Sequence, residues 1–99
     1  MVDTSEKFEA LKATYDLTEL DLMLEKLLDV ALNQHRQRLA RYDQQLAKYE
    51  EKYELDSQTF AQRFETGEMG DAMDYFEWMG IYALRQDLIE KIRRLESVV

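Results

Sequence analysis

Leu39, Tyr42, Leu46, Tyr49 and Tyr53 are spaced three, four, three and four residues apart. That alternation keeps five large apolar side chains on one stripe of an α-helix and makes the seam of a coiled coil. Upstream, Leu20, Leu24, Leu27, Leu28, Ala31 and Leu32 recur at threes and fours as well. The chain has no proline, so no hard break interrupts the pattern. The spacing predicts one helix from Thr18 to about Glu54, with Thr18 as N-cap and Glu19 and Asp21 in its first turn. At ~1.5 Å per residue such a rod is roughly 55 Å long. A rod of that length cannot cover its own apolar stripe, so it needs a second helix.

The second helix is expected over residues 71–96. Asp71 is the expected N-cap, with Asp74 three residues on. Its apolar positions are Phe76, Trp78, Met79, Ile81, Tyr82, Leu84, Leu88, Ile92 and Leu95. Arg85, Lys91, Arg93 and Arg94 crowd its C-terminal half, where cations suit the helix dipole. Gly80 interrupts it at a cost of about 1 kcal/mol relative to alanine, and reads as a point of close helix approach. Between the rods, Asp56 is the expected cap of a short helix over 57–65, with Leu55 and Phe60 as a hydrophobic staple and Gly67 just past its end. Residues 1–17 form a weakly helical N-terminal segment carrying Phe8, Leu11 and Tyr15, capped by Thr4 or Ser5. Residues 18–99 form the hairpin.

Charge supports the antiparallel fold. The net charge of −8 is unevenly spread: residues 1–32 carry eight acids and three bases, and 33–53 three acids and five bases. Residues 54–82 carry seven acids and one base, and 83–99 three acids and four bases. Folding the rods antiparallel sets unlike blocks side by side. Each surface pair is worth at most about 1 kcal/mol, so the blocks select orientation and register. The expected contacts join 36–53 to 71–88, and 20–32 to 88–99. The fold class is all-α, a long antiparallel helical hairpin with a short connecting helix. The unequal rods leave apolar surface over, and a homodimer forming a four-helix bundle is the expected cover.

A chain of 99 residues is one small domain with a thin core. It has no cysteine, hence no disulfide, thiolate nucleophile or cysteine metal site. No signal peptide and no apolar run of about 20 residues is evident, so a cytoplasmic protein with no membrane partner is expected. The acidic balance disfavours nucleic acid. Arg36, Arg38, Arg41, Lys48 and Lys52 are the candidates for phosphate contacts, but they lie among acids and glutamines, which favours a solvated face paired with the second rod. His35, the one histidine, falls on the seam four residues before Leu39 and has no triad or metal partners in sequence. Glu65, Glu68, Asp71, Asp74 and Glu77 crowd the turn. Capping, docking of a basic partner and cation binding are all open to them, the last without any Asp-x-Asp-x-Asp-Gly loop. Tyr75, Phe76, Trp78, Met79 and Tyr82 cannot share one helical face, so they serve a core covered on more than one side or an aromatic anchor. No nucleophile elbow, phosphate loop or zinc motif is present, and neither catalysis, a metal nor a cofactor is expected.

The stretch Tyr53-Glu54-Leu55-Asp56-Ser57-Gln58-Thr59-Phe60, then Phe64-Glu65-Thr66-Gly67-Glu68-Met69-Gly70-Asp71, then Asp74-Tyr75-Phe76-Glu77-Trp78 resembles small prokaryotic helical antitoxin-like proteins of toxin–antitoxin gene pairs. Their pattern often has glycine after the tyrosine, where this chain has Glu54. The resemblance implies a module that binds and neutralises a small basic toxin. It directs attention to the Phe64–Tyr82 region, with Glu65, Glu68, Asp71, Asp74, Tyr75, Trp78 and Tyr82 as expected partner contacts. Leu39, Tyr42, Leu46, Tyr49 and Tyr53 are then the dimer or core seam. The competing expectation is a homodimeric scaffold with no toxin.

Overall fold

The computed structural model describes residues 1–99 as four helices in a rod of 57 × 26 × 19 Å. These are α1 (Thr4–Thr14), α2 (Leu17–Tyr53), α3 (Ser57–Glu65) and α4 (Met73–Glu96). The radius of gyration of 19.6 Å exceeds the ~13 Å of a compact 100-residue domain, so no central core is possible and burial runs along the rod. α4 packs along α2 from about Leu32 to Tyr53, and α3 folds across the start of α4. No helix is long and apolar enough to cross a membrane.

The helix starts are set by aspartates at fixed spacing. Asp3 accepts a hydrogen bond from the Glu6 N–H at 2.8 Å, and Asp16 accepts one from the Glu19 N–H at 2.8 Å. These caps replace the expected Thr4 or Ser5 and Thr18. In each case Asp-x-x-Glu puts an acid on the third residue of the helix, a capping-box spacing. Asp56 caps α3 as expected, accepting from the Thr59 N–H at 3.0 Å. That backbone bond, above all, holds the Asp56 carboxyl below the usual carboxylate range.

The ends need left-handed residues. Gly67 has φ +80, and the Glu68 N–H reaches back to the Arg63 carbonyl at 2.9 Å while the Gly67 N–H reaches Phe64 at 3.1 Å. That pair of bonds is a Schellman closure of α3. α2 ends the same way without glycine: Glu54 sits at φ 51, ψ 47, and the Leu55 N–H bonds to the Glu50 carbonyl at 3.2 Å. A side chain in this region is strained, and Glu54 stands where the resembled pattern has glycine.

Two expectations about α4 fail. Asp71 does not cap it: the helix begins at Met73, and Ala72 occupies the cap with no side-chain bond. Asp74, in the first turn, is instead held by Lys52 and Tyr53 of α2. Gly80 is exposed, and a Cβ added there meets nothing within 4 Å, so no helix approaches it.

Burial falls into two clusters on α2. Leu32 packs with Leu88 and Ile92, flanked by Leu39, Tyr42 and Leu95. Leu46 packs with Phe60 and Trp78, flanked by Tyr49, Tyr53, Leu55, Phe64, Tyr75, Met79, Ile81 and Tyr82. The seam from Leu39 to Tyr53 is thus occupied by α4 and α3 of the same chain. His35 lies half-buried on this line. Phe76 and Leu84, expected apolar contacts of the second rod, are exposed. The two rods meet as expected over 36–53 and 71–88. The second expected contact, 20–32 with 88–99, thins toward its end: Leu32 packs on Leu88 and Ile92, Arg36 pairs with Glu96 at 3.2 Å, and beyond α4 Val98 and Val99 share an open hollow with Leu24 and Leu28. No ion pair joins the acidic start of α2 to the basic end of α4.

Candidate functional site

The expected site at the turn divides into a buried half and a solvated half. Trp78 is 0% exposed, lying face to face with Phe60 at 3.8 Å between ring centroids and 1° between planes. Tyr49 and Tyr53 stack on it at 5.7 Å each. Its indole N–H donates to the Ser57 hydroxyl at 2.9 Å, and the Ser57 backbone N–H donates to the Glu50 carboxylate at 2.8 Å. These bonds tie α4 to the first residue of α3 and that residue to α2. No buried side-chain nitrogen or oxygen lacks a partner. Trp78, an expected partner contact, is thus buried against α2 and α3 within the chain. Tyr75 and Tyr82 are half-buried against the same cluster.

Asp74 is likewise engaged. Its carboxylate accepts from Lys52 Nζ and from the Tyr53 hydroxyl, both at 2.6 Å. Those two bonds hold Asp74 below the usual carboxylate range and raise both Lys52 and Tyr53. Tyr49 donates to Glu77 at 2.9 Å, and that bond raises Tyr49. Of the basic residues of α2, Lys52 and Arg36 thus pair across the hairpin. Arg38, Arg41 and Lys48 make no ion pair. Glu65, Glu68 and Asp71 remain exposed around the turn, and no group of three or more acids or histidines is placed to hold a metal ion. A polar cleft along α2, α3 and α4 is lined by Asp43, Glu50, Ser57, Arg85, Glu90 and Arg93. Its charges are spent internally, Arg85 on Asp43 at 2.5 Å and Arg93 on Glu90 at 2.9 Å.

The opposite end of the hairpin carries the exposed apolar surface. Leu17 is 84% exposed, Leu27 65%, and Leu22, Leu24 and Val30 also face solvent. α1 buries none of its residues and leaves Phe8 and Leu11 exposed beside them. A groove of about 720 Å³ runs between α1 and the start of α2, floored by Phe8, Leu11, Leu17, Leu20, Met23, Leu24 and Leu27. The length mismatch of the rods points to uncovered surface here, but the partner contacts were expected at the turn. A sharper sign is in the spacing. Leu17, Leu20, Leu24, Leu27 and Ala31 repeat at three, four, three and four, and Leu27 and Ala31 each precede by one residue the line of Leu28, Leu32, His35 and Leu39. One residue is about 100° of helix, so the early stripe turns away from the face that α4 covers. No family model, no curated protein and no solved structure matches this chain.

Proposed function

We propose that the chain is a protein-interaction module rather than an enzyme, and that its role is antitoxin-like: it binds and neutralises a small basic toxin in the cytoplasm. One observation supports the interaction reading most: Leu17, Leu24 and Leu27 of α2 stand exposed along a groove that they line with the exposed Phe8 and Leu11 of α1. A contiguous apolar patch rimmed by polar residues marks a surface meant for another molecule. The sequence pattern around the turn narrows that role to an antitoxin. Co-expression tests it. A short neighbouring gene should encode a basic, growth-inhibitory product, and this chain should restore growth. A harmless neighbour, or a toxic one unrelieved by this chain, removes the antitoxin role.

The second reading is a homodimeric scaffold. The same uncovered stripe favours it, because a two-fold copy could lay its own Leu17–Val30 face there. Light scattering at micromolar concentration tests this reading: twice the 11.9 kDa chain mass in the absence of any partner keeps the scaffold, and a monomer removes it.

A further inference from the structure

We propose that the groove between α1 and the start of α2 seats a cationic amphipathic helix of the partner protein; this rests on the interaction-module reading and gives it a location and a ligand chemistry. The shape of the floor selects a helix. Leu17, Leu20, Leu24 and Leu27 present the three-four-three spacing into which the side chains of a second helix interdigitate. Phe8 and Leu11 of α1, three residues apart, form the opposing wall. The floor from Leu17 to Leu27 is roughly 15 Å long, about three helical turns.

Charge selects a cationic occupant. Residues 1–32 carry eight acids against three bases, and every one of those acids is exposed. A basic helix is steered in by that excess, with Asp21 as the acid on the groove itself, while its apolar face fills the groove. An anionic lipid surface or a nucleic acid is repelled by the same field. A second copy fits less well. Beyond Leu32 its own α2 stripe is taken by α4 and α3, so only its Leu17–Val30 face remains to offer. Face against face, the two excesses of acid would oppose each other.

The test uses the full chain and two synthetic helical peptides of about 14 residues, four turns. Both carry leucines at threes and fours; one has lysine and the other glutamate at every remaining position. The lysine peptide should bind saturably in fluorescence anisotropy. Its Kd should rise about tenfold or more when salt increases from about 50 to about 500 mM. The double variant Leu24→Glu/Leu27→Glu should lose at least about tenfold in affinity, since each change places a charge on the apolar floor. Both side chains are exposed, so circular dichroism should report an unchanged fold. Glu68→Gln/Asp71→Asn, at the turn, should leave binding unaltered. Equal binding of the glutamate peptide, no binding of the lysine peptide, or binding indifferent to the strip variant overturns the proposal. A dimer of the free chain that dissociates in the strip variant and tightens with salt assigns the groove to a second copy and also overturns it. Growth rescue separates this from the reading it rests on. Rescue that persists in the strip variant refutes this seat and leaves the antitoxin role standing. Absent rescue by the unaltered chain refutes that role, and the peptide result still decides the groove.

Discussion

From Leu32 to Tyr53 the apolar stripe of α2 lies under α4 and α3. From Leu17 to Val30 a stripe of the same periodicity lies open. The two halves belong to one unbroken helix, so backbone and propensity do not distinguish them. They differ in what the chain can bring against them. α4 has 24 residues to α2's 37, and it is spent by the time it reaches Leu32. Periodicity marks a face as apolar. Only the count of helical residues left over shows whether the chain covers that face itself. The turn end spends its aromatic residues on packing, while leucines of the other end stay exposed.

The largest contrast between the ends should appear in paired truncations. Trp78→Ala removes a buried indole stacked on three rings and should cost about 3–5 kcal/mol in urea denaturation. Leu27→Ala, at an exposed site of similar periodicity, should change stability by no more than about 0.5 kcal/mol. Equal losses would mean that the open stripe is buried in solution. Next in size is Ser57→Ala, which leaves the buried indole N–H without its acceptor. It should cost about 1–3 kcal/mol, and a neutral result would remove the hydrogen bond from the account of the hinge.

Two changes should stabilise. Gly80→Ala enters open space on the exposed face of α4 and should gain about 0.5–1 kcal/mol. Glu54→Gly relieves a left-handed side chain and should gain a similar amount, about 0.5–1 kcal/mol. A loss from Gly80→Ala would restore the close helix approach expected from sequence.

The smallest effect is one of pH. Asp74 is held below the usual carboxylate range by Lys52 and Tyr53, and its contribution is present above pH ~4. That contribution should fade as pH falls through the lowered value, because protonation then weakens both bonds. Lys52 and Tyr53 are raised, so what they add is full below their ordinary values near 10 and fades as pH rises through the higher ones. Thermal melts should therefore show acid and alkaline declines that Asp74→Asn flattens, with no matching effect from Asp71→Asn.

The rods, the short helix over 57–65, its Asp56 cap and the glycine closing it were legible because each is a local pattern. The interior position of Trp78 was not. Helical spacing puts Trp78 with Ile81 and Arg85 on one side and Tyr75, Met79 and Tyr82 on another. Which side is sealed depends on where α3 folds back, and that is set by the left-handed turn at Glu54. Asp71 looked like a cap because it precedes an apolar run, but α4 starts two residues later, at Met73, and its first-turn acid is engaged by α2. The open face was half legible. The rod lengths announced leftover surface, while the dense acids and aromatics of the turn drew the expected contacts to the other end of the hairpin, where Trp78 is buried and Glu65, Glu68 and Asp71 are exposed.

Amide hydrogen exchange on the free, dilute chain tests the division of labour most directly, because it reads both ends in one experiment. Amides of residues 44–62 and 75–92 should be the most protected, and those of α1 and of 17–30 should exchange much faster. Protection of 4–30 matching that of the hinge, at a concentration where scattering shows a monomer, would contradict the account.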